Sequence, residues 1–172
     1  RIDFETAPSS EVLASKLADF EAALPACDVV ILSDYGKGGL AHIATMIGLT
    51  RAAGKLVLVD LKGEDYARYR DANIVTPNSA ELREVVGAWR DEADLAARAQ
   101  RLRAELALDA LLLTRSEQGM TLFDTHGAMH VPVQAREVYD VTGAGDTVIA
   151  ALAVMLASGR ALAEAVRMAN RA

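Results

Sequence analysis

The sequence predicts an α/β domain built on a mostly parallel sheet. Short runs of β-branched and leucine residues alternate with helical patterns along the chain, which is typical of successive βαβ units. Several of these runs are apolar at nearly every position, as expected of strands buried on both faces of a parallel sheet. The 172 residues are enough for one domain with a substantial core, and no repeat, low-complexity tract or linker divides them.

The first half of the chain contains three predicted strands separated by helical sequence. A helix over residues 41–53 is expected to end at Gly54, because glycine readily adopts the left-handed conformation that follows many helices. A shorter helical stretch lies near Tyr66. Two predicted strands are residues 28–33 (DVVILS) and 55–60 (KLVLVD). A third lies within NIVTP, residues 73–77, and ends before Pro77.

The second half begins with helical sequence over residues 78–108, which we expect to break near Gly87. Asp91 is suited to cap the second piece. A buried strand (DALLLT), two strands at hairpin spacing (GMTLFD and AMHVPV) and two final helices follow. Their predicted bounds are residues 109–114, 119–124 and 128–133, with the turn at 125–127 and the helices starting at Asp146 and Ala161.

Composition and charge exclude several classes of protein. A formal net charge of −6 argues against a general nucleic-acid or anionic-membrane surface. The single cysteine, Cys27, excludes an internal disulfide and suits a reducing compartment. No signal peptide is visible, and the longest apolar run, residues 148–157, is too short to span a bilayer. We therefore expect a cytoplasmic protein. Because the chain starts at Arg1 and stops within helical sequence, we also expect it to be part of a longer one.

Polar side chains follow four of the predicted strands at the point where each ends. In open α/β sheets, ligands bind outside the carboxyl ends of the strands, so these side chains are candidates for a site. Loops after strands are polar in any case, and this simpler explanation stays open. The candidate segments are residues 33–35, 60–62, 76–78 and 114–117.

The stretch DVTGAGDTVIAA, residues 140–151, predicts an anion site at the start of a helix. Gly143 and Gly145 permit a tight turn in which backbone N–H groups converge on an oxyanion. Asp146 would lie in the first helical turn, where the positive end of the helix keeps it ionised. A carboxylate beside an anion hole suits phosphoryl transfer, because it can deprotonate a hydroxyl nucleophile while the N–H groups neutralise developing charge.

The same stretch has a purely structural interpretation. Asp140 or Thr142 would cap the helix, and Asp146 would only complement the helix dipole. TPNSAEL is similarly ambiguous. Asn78 and Glu81 have the spacing of a capping box, and they could also lie near Mg²⁺-bound water and nucleotide phosphates.

Two other segments carry candidate binding residues. LLTRSEQGM ends a strand with Thr114, Arg115 and Glu117, and taken alone it is a strand–turn–strand. LSDYGKGGL and VDLKG place Lys37 and Lys62 in loops after strands, where lysines could meet a substrate phosphate as point charges or be solvated. The three histidines lack metal-ligand spacing, so no direct metal site is predicted.

Together and in this order, the motifs resemble those of the ribokinase-like (PfkB-type) carbohydrate kinases. DVTGAGD resembles the family's C-terminal signature, NSAE its Asn-x-x-Glu motif and TRSEQG its nucleotide-side turn. Within the family, LSDYGKG, TPNSAEL, LLTRSEQGM and EVYDVTGAGDTVIA are most similar to the heptose 7-phosphate kinases, over nearly the whole chain. The resemblance implies a ribokinase-like three-layer α/β/α sandwich, of which residues 1–172 would be the C-terminal portion of a single sugar-kinase domain.

The implied reaction is ATP-dependent phosphorylation of the anomeric (C1) hydroxyl of D-glycero-β-D-manno-heptose 7-phosphate to the 1,7-bisphosphate, in ADP-heptose and lipopolysaccharide core synthesis. The implied cofactors are ATP and Mg²⁺, with a monovalent cation as a further candidate, and the complete protein would be a homodimer. The implied site residues are Asp146 as catalytic base, Gly143, Ala144 and Gly145 as anion hole, Asn78 and Glu81 at the Mg²⁺–phosphate region, Thr114, Arg115 and Glu117 toward the nucleotide, and Lys37 and Lys62 toward phosphates.

Two alternatives stay open at this point. One is another sugar kinase of the same fold, of the ribokinase or phosphofructokinase type. The other is a nucleotide-binding domain without turnover, against which the presence of Asp146 argues. The resemblance also implies a long N-terminal portion holding much of the sugar pocket, so the sugar preference and the activity of this chain by itself stay open.

Overall fold

The computed structural model describes residues 7–133 and 144–171, and these residues contain one six-stranded sheet. The strands lie side by side in chain order. The first four are parallel, and the last two form an antiparallel hairpin at one edge. The strands are β1 (Val29–Ser33), β2 (Leu56–Asp60), β3 (Ile74–Val75), β4 (Ala110–Thr114), β5 (Met120–Asp124) and β6 (Gly127–Val131).

Helices cover both faces of this sheet in the described part of the chain. Short 3₁₀ turns occupy Leu24–Ala26, Tyr66–Tyr69 and Ser116–Gln118. The α-helices are α1 (Ser10–Ala23), α2 (Ile43–Ala52), α3 (Ser79–Val86), α4 (Glu92–Glu105), α5 (Ala144–Ala157) and α6 (Leu162–Ala169). None of them is long and apolar enough to cross a membrane.

The sheet has an apolar core on each face, and successive side chains of a strand point into one core and then the other. Val57 and Val59 of β2 face the core beneath α2, α3 and α4. Leu58, between them, faces the core beneath α5 and α6, which contribute Leu152 and Val166. The continuous apolar run of β2 is therefore explained by burial on both faces. The predicted three-layer α/β/α arrangement with a mostly parallel sheet is confirmed.

The predicted elements are present, with shifted ends. Helix α2 begins at Ile43 rather than residue 41, and the hairpin turn is shorter than predicted because Gly127 already belongs to β6. Helix α5 begins at Ala144, two residues before the predicted start, which puts Asp146 inside the first turn. Helix α1 was not predicted. Its sequence lacks the strong apolar pattern of a core helix, and none of its residues is buried.

Candidate active site

The polar segments predicted from the strand ends lie along one edge of the sheet. Ser33 at the end of β1 is in register with Asp60 at the end of β2. Beyond β3, Asn78 forms an isolated parallel bridge with Thr114 at the end of β4. Parallel pairing thus brings the four strand ends to the same side, as expected of a ligand site in an open α/β sheet.

Asp146 lies in the first turn of α5 and its side chain is exposed to solvent. The Tyr35 hydroxyl, from the loop after β1, donates to Oδ1 of Asp146 at 3.4 Å. Gly145 is exposed, with no atom within 4 Å of where a Cβ would lie. Of the predicted anion hole, Gly143 lies outside the described residues, and the backbone of Ala144 starts the helix.

Asn78 and Glu81 form the complete capping box at the start of α3. The Asn78 side chain accepts from the N–H groups of Ala80 and Glu81 at 2.9 and 3.0 Å, and Glu81 Oε2 accepts from the Asn78 N–H at 2.8 Å. The other oxygen, Oε1, forms an ion pair with Lys62. This ion pair raises the pKa of Lys62. Glu81 is only 8% exposed, so one carboxylate both caps a helix and holds a lysine at the site.

Asp60 is the most electrostatically perturbed carboxylate among the described residues of this edge. Burial, followed by the charges of Glu81 and Asp146, raises its pKa to about 6, while Lys62 acts in the opposite direction. The sequence placed Asp60 in the candidate segment 60–62 at the end of β2 but gave it no role of its own. The charges that raise its pKa come from residues distant in the chain, so the sequence carries no local signal for this shift.

The loop after β1 is anchored by a buried carboxylate. Asp34 is 3% exposed, and it accepts from the Gly36 N–H at 2.9 Å and from the Tyr69 hydroxyl at 3.0 Å. Arg68 forms an ion pair with the same carboxylate at 3.4 Å. Burial is the main reason that the pKa of Tyr69 rises to about 12. Tyr69 also bonds the backbone of Lys62, so Asp34 ties the loops after β1 and β2 together.

Lys37 lies in the same loop, beside a cleft of about 380 Å³. Ser33, Asp34 and Tyr35 also line this cleft. The two lysines predicted from the sequence therefore lie at the edge of the sheet where the parallel strands end. Lys62 forms an ion pair with Glu81, and Lys37 lines the cleft.

Arg115 connects the turn between β4 and β5 to α4 and β5. Its guanidinium forms two hydrogen bonds with the Glu92 carboxylate, at 2.6 and 2.8 Å, and a third with the Thr121 hydroxyl at 3.3 Å. Arg115 is thus committed to contacts with α4 and β5. Thr114 is half-buried at the strand end and Glu117 is exposed in the turn, so these two lie on the accessible side.

Gly119 closes this turn in a conformation that only glycine fits. Its φ is +86°, and a Cβ there would lie 2.2 Å from the Val131 carbonyl oxygen and 2.8 Å from the Val133 nitrogen. The N–H of Arg115 donates to the Gly119 carbonyl at 2.8 Å. The turn is therefore packed tightly on the end of β6.

Residues 7–133 and 144–171 contain no group of three or more His, Cys, Asp or Glu side chains arranged to hold a metal ion. The charges of Glu81 and Asp146 nevertheless act on Asp60, whose pKa they help to raise. Oxygen donors of this kind are those that suit Mg²⁺ carried by phosphates.

The model of the pfkB family of carbohydrate kinases matches residues 4–172. The chain is 55% identical to the bifunctional protein HldE of Chromohalobacter salexigens over 173 aligned residues. This alignment covers 100% of this chain and 36% of that protein. It is 53% identical over 172 residues to the D-beta-D-heptose 7-phosphate kinase of Bordetella bronchiseptica, covering 100% of this chain and 55% of that one.

Solved structures have the same fold as this chain. A phosphofructokinase-2 variant from Escherichia coli superposes with a TM-score of 0.80 at 20% identity, over 95% of this chain and 55% of that chain. This similarity establishes the ribokinase-like fold predicted from the motifs. The chain spans about half or less of the length of the relatives it matches. With a family model matched along almost its entire length, this chain belongs to the pfkB family of carbohydrate kinases.

Proposed function

We propose that this chain is the catalytic part of a kinase that phosphorylates the anomeric hydroxyl of D-glycero-β-D-manno-heptose 7-phosphate, with ATP as donor, in ADP-heptose and lipopolysaccharide core synthesis. The observation that carries the proposal is the exposed Asp146 carboxylate in the first turn of α5, at the edge where four parallel strands end. Support for the sugar comes from the two relatives, one of which is called a D-beta-D-heptose 7-phosphate kinase.

In this mechanism Asp146 is the general base. The C1 hydroxyl of the sugar gives its proton to Asp146 as its oxygen forms a bond to the γ-phosphorus of ATP, and the bond from that phosphorus to the bridging oxygen of ADP breaks. General-base catalysis by a positioned carboxylate contributes about 10²–10⁴-fold to such rates. Backbone N–H groups at the start of α5, from the segment containing Gly143, Ala144 and Gly145, would donate to the oxygens of the transferring group.

ATP supplies the phosphoryl group, and Mg²⁺ neutralises part of its charge. The residues of the site fit this pair. Asn78 and Glu81 present amide and carboxylate oxygens at the end of β3, and Lys62 places a cation beside them. Thr114 and Glu117 are proposed to face the nucleotide, and Arg115 to serve it by holding their turn on α4.

The far end of the substrate needs a cation as well. A sugar that already has a phosphate brings a dianion, and Lys37 beside the 380 Å³ cleft is the candidate partner for it. Lys62 is a second candidate, provided that it leaves Glu81. Loss of one charge-assisted contact costs about 1.5–3 kcal/mol, so the phosphorylated heptose should be preferred by roughly 10- to 150-fold in kcat/KM over the same sugar without phosphate.

We also propose a domain assignment, a compartment and an oligomeric state for this protein. Residues 1–172 act as one portion of a single sugar-kinase domain, since α5 and α6 share a core with strands from the first half of the chain. The cytoplasm is the compartment that ATP and a lone cysteine favour. A homodimer is expected for the complete protein, on family resemblance alone.

The test is a sugar-phosphate panel assayed with ATP and the complete gene product, with the position of the new phosphate read by ³¹P NMR. Asp146→Asn should lower kcat by about 10²–10⁴-fold and leave ATP binding in place. Asp19→Asn is the matched control, because Asp19 is an exposed aspartate on α1 paired with Lys16. Equal use of ribose, or a phosphate placed away from C1, would refute the heptose assignment. Near-normal turnover of Asp146→Asn would refute the role of Asp146.

A further inference from the structure

Tyr35 is exposed to solvent and contacts Asp146. Its relative exposure is 58%, so most of this large aromatic residue faces solvent. Its hydroxyl makes the contact with Asp146 at 3.4 Å, between residues 111 positions apart in the chain. The ring also forms part of the wall of the cleft that contains Lys37.

The backbone on both sides of Tyr35 is fixed. On one side, the Asp34 N–H donates to the Asp60 carbonyl at 2.8 Å, and the buried Asp34 carboxylate holds Tyr69 and Arg68. On the other side, the Gly36 N–H donates back to Asp34, and the φ of Gly36 is +70°, so the chain turns sharply after Tyr35. This backbone places the Tyr35 side chain beside the start of α5, where its hydroxyl reaches Asp146.

We propose that Tyr35 is a positioning residue for the Asp146 carboxylate. The inference rests on the proposed function and adds a residue to it. An exposed aspartate in the first turn of a helix has several rotamers available, and only some of them point an oxygen at a substrate hydroxyl. By donating to Oδ1, Tyr35 selects among these rotamers and leaves Oδ2 to accept the proton from the sugar.

The geometry of the contact decides the size of the contribution. At 3.4 Å the hydrogen bond is long, so it lies at the weak end of the range for a neutral hydrogen bond. Tyr35→Phe should therefore lower kcat about 2- to 5-fold through less frequent productive rotamers of Asp146, and leave KM for ATP unchanged.

The matched control is Tyr66→Phe. It removes the same atom from a tyrosine whose buried hydroxyl has no hydrogen-bond partner in the part of the chain that the structure describes. Kinetics are measured on the complete gene product for both variants, and for Tyr35→Phe combined with Asp146→Asn. We expect Tyr66→Phe to keep kcat. In the Asp146→Asn background, Tyr35→Phe should have no further effect, because the group that it positions is already gone.

A spectroscopic readout separates this inference from the proposed function. In protein labelled with ¹³C at aspartate carboxyl carbons, the Asp146 resonance is identified by its disappearance in Asp146→Asn. Tyr35→Phe should shift this resonance, and Tyr66→Phe should leave it in place. An unmoved resonance, or an equal loss of kcat with and without Asp146, overturns the positioning role. If the wild type phosphorylates no sugar phosphate, the proposed function fails, and the resonance alone decides whether Tyr35 orients Asp146.

Discussion

Replacing Asp60 by asparagine tests the electrostatics of the site without touching its shape. The pKa of Asp60 is about 6 in the folded chain, against an ordinary value of 3.8, so the fold opposes the ionised form. Between about pH 4 and pH 6 the folded state holds a proton that the unfolded state has released. Stability contributed by this group therefore falls as the pH rises through that window, and the full cost is present above it.

The magnitude follows from the same two values. A pKa difference of this size corresponds to about 3 kcal/mol, at 1.36 kcal/mol for each pH unit. Asp60 is only partly buried, so solvent screening reduces the cost, and we expect about 1–2 kcal/mol at pH 8. Asparagine has the same shape, and the backbone carbonyl that accepts from Asp34 is unchanged. The variant should thus be more stable than the wild type at neutral pH.

The assay is a series of thermal melts of the complete gene product between pH 4 and pH 8. Asp60→Asn should raise Tm by about 2–8 °C at pH 8 and by almost nothing at pH 4. Asp19→Asn, which changes an exposed aspartate on α1, should show no such pH-dependent gain. The reasoning is refuted if Asp60→Asn lowers Tm at pH 8, or if its gain is the same at both ends of the pH range.

Substitutions at three other places test the remaining parts of the site: the capping box of α3, Gly119 and Arg115. Glu81→Gln keeps an acceptor for the Asn78 N–H but loses the ion pair with Lys62, so a titration of rate against Mg²⁺ should show a raised Mg²⁺ requirement with little change in Tm. Asn78→Ala should instead lower the free energy of unfolding by about 0.5–2 kcal/mol through loss of the helix cap. Gly119→Ala forces a Cβ against the Val131 carbonyl and should cost at least about 1–3 kcal/mol in urea unfolding, whereas Gly159→Ala, also at positive φ but in open space, should cost less. Arg115→Met should reduce Tm through loss of the contacts with Glu92 and Thr121; if it raised KM for ATP at unchanged Tm, Arg115 would contact the nucleotide directly.

The strands and most helices could be predicted because their signals are local. The apolar runs of β2 and β4 are continuous, and Asn78 with Glu81 three residues later is a capping box whatever surrounds it. The helix ends were less accurate, by about two residues for α2 and α5, since helix ends fray and depend on neighbouring contacts. Helix α1 was not predicted because no residue of it is buried and its contribution to the described cores is the half-buried Phe20.

The electrostatics of the site could not be predicted, because they arise between residues far apart in the chain. The pKa of Asp60 depends on Glu81 and Asp146, which only the sheet brings together. The sequence indicates only that Arg115 lies in a loop after β4. Its ion-pair partner Glu92 lies 23 positions away in the chain, at the start of α4. Asp34 resembles an ordinary loop aspartate, yet it is buried and anchors two loops.

Lys62 connects these observations, because its ion pair with Glu81 and its proposed contact with a phosphate exclude each other. As long as it pairs with Glu81, it compensates a buried carboxylate and lowers the pKa of Asp60. If a substrate phosphate attracts Lys62, Glu81 is left with its capping contact to Asn78 and faces Asp60 without a cation. An uncompensated buried carboxylate is costly, so under the proposed function a shift of Lys62 to a phosphate would favour a second positive charge beside Glu81. The proposed divalent cation on the nucleotide would supply that charge, and the charges of Asp60, Glu81 and Lys62 therefore support the proposed metal dependence.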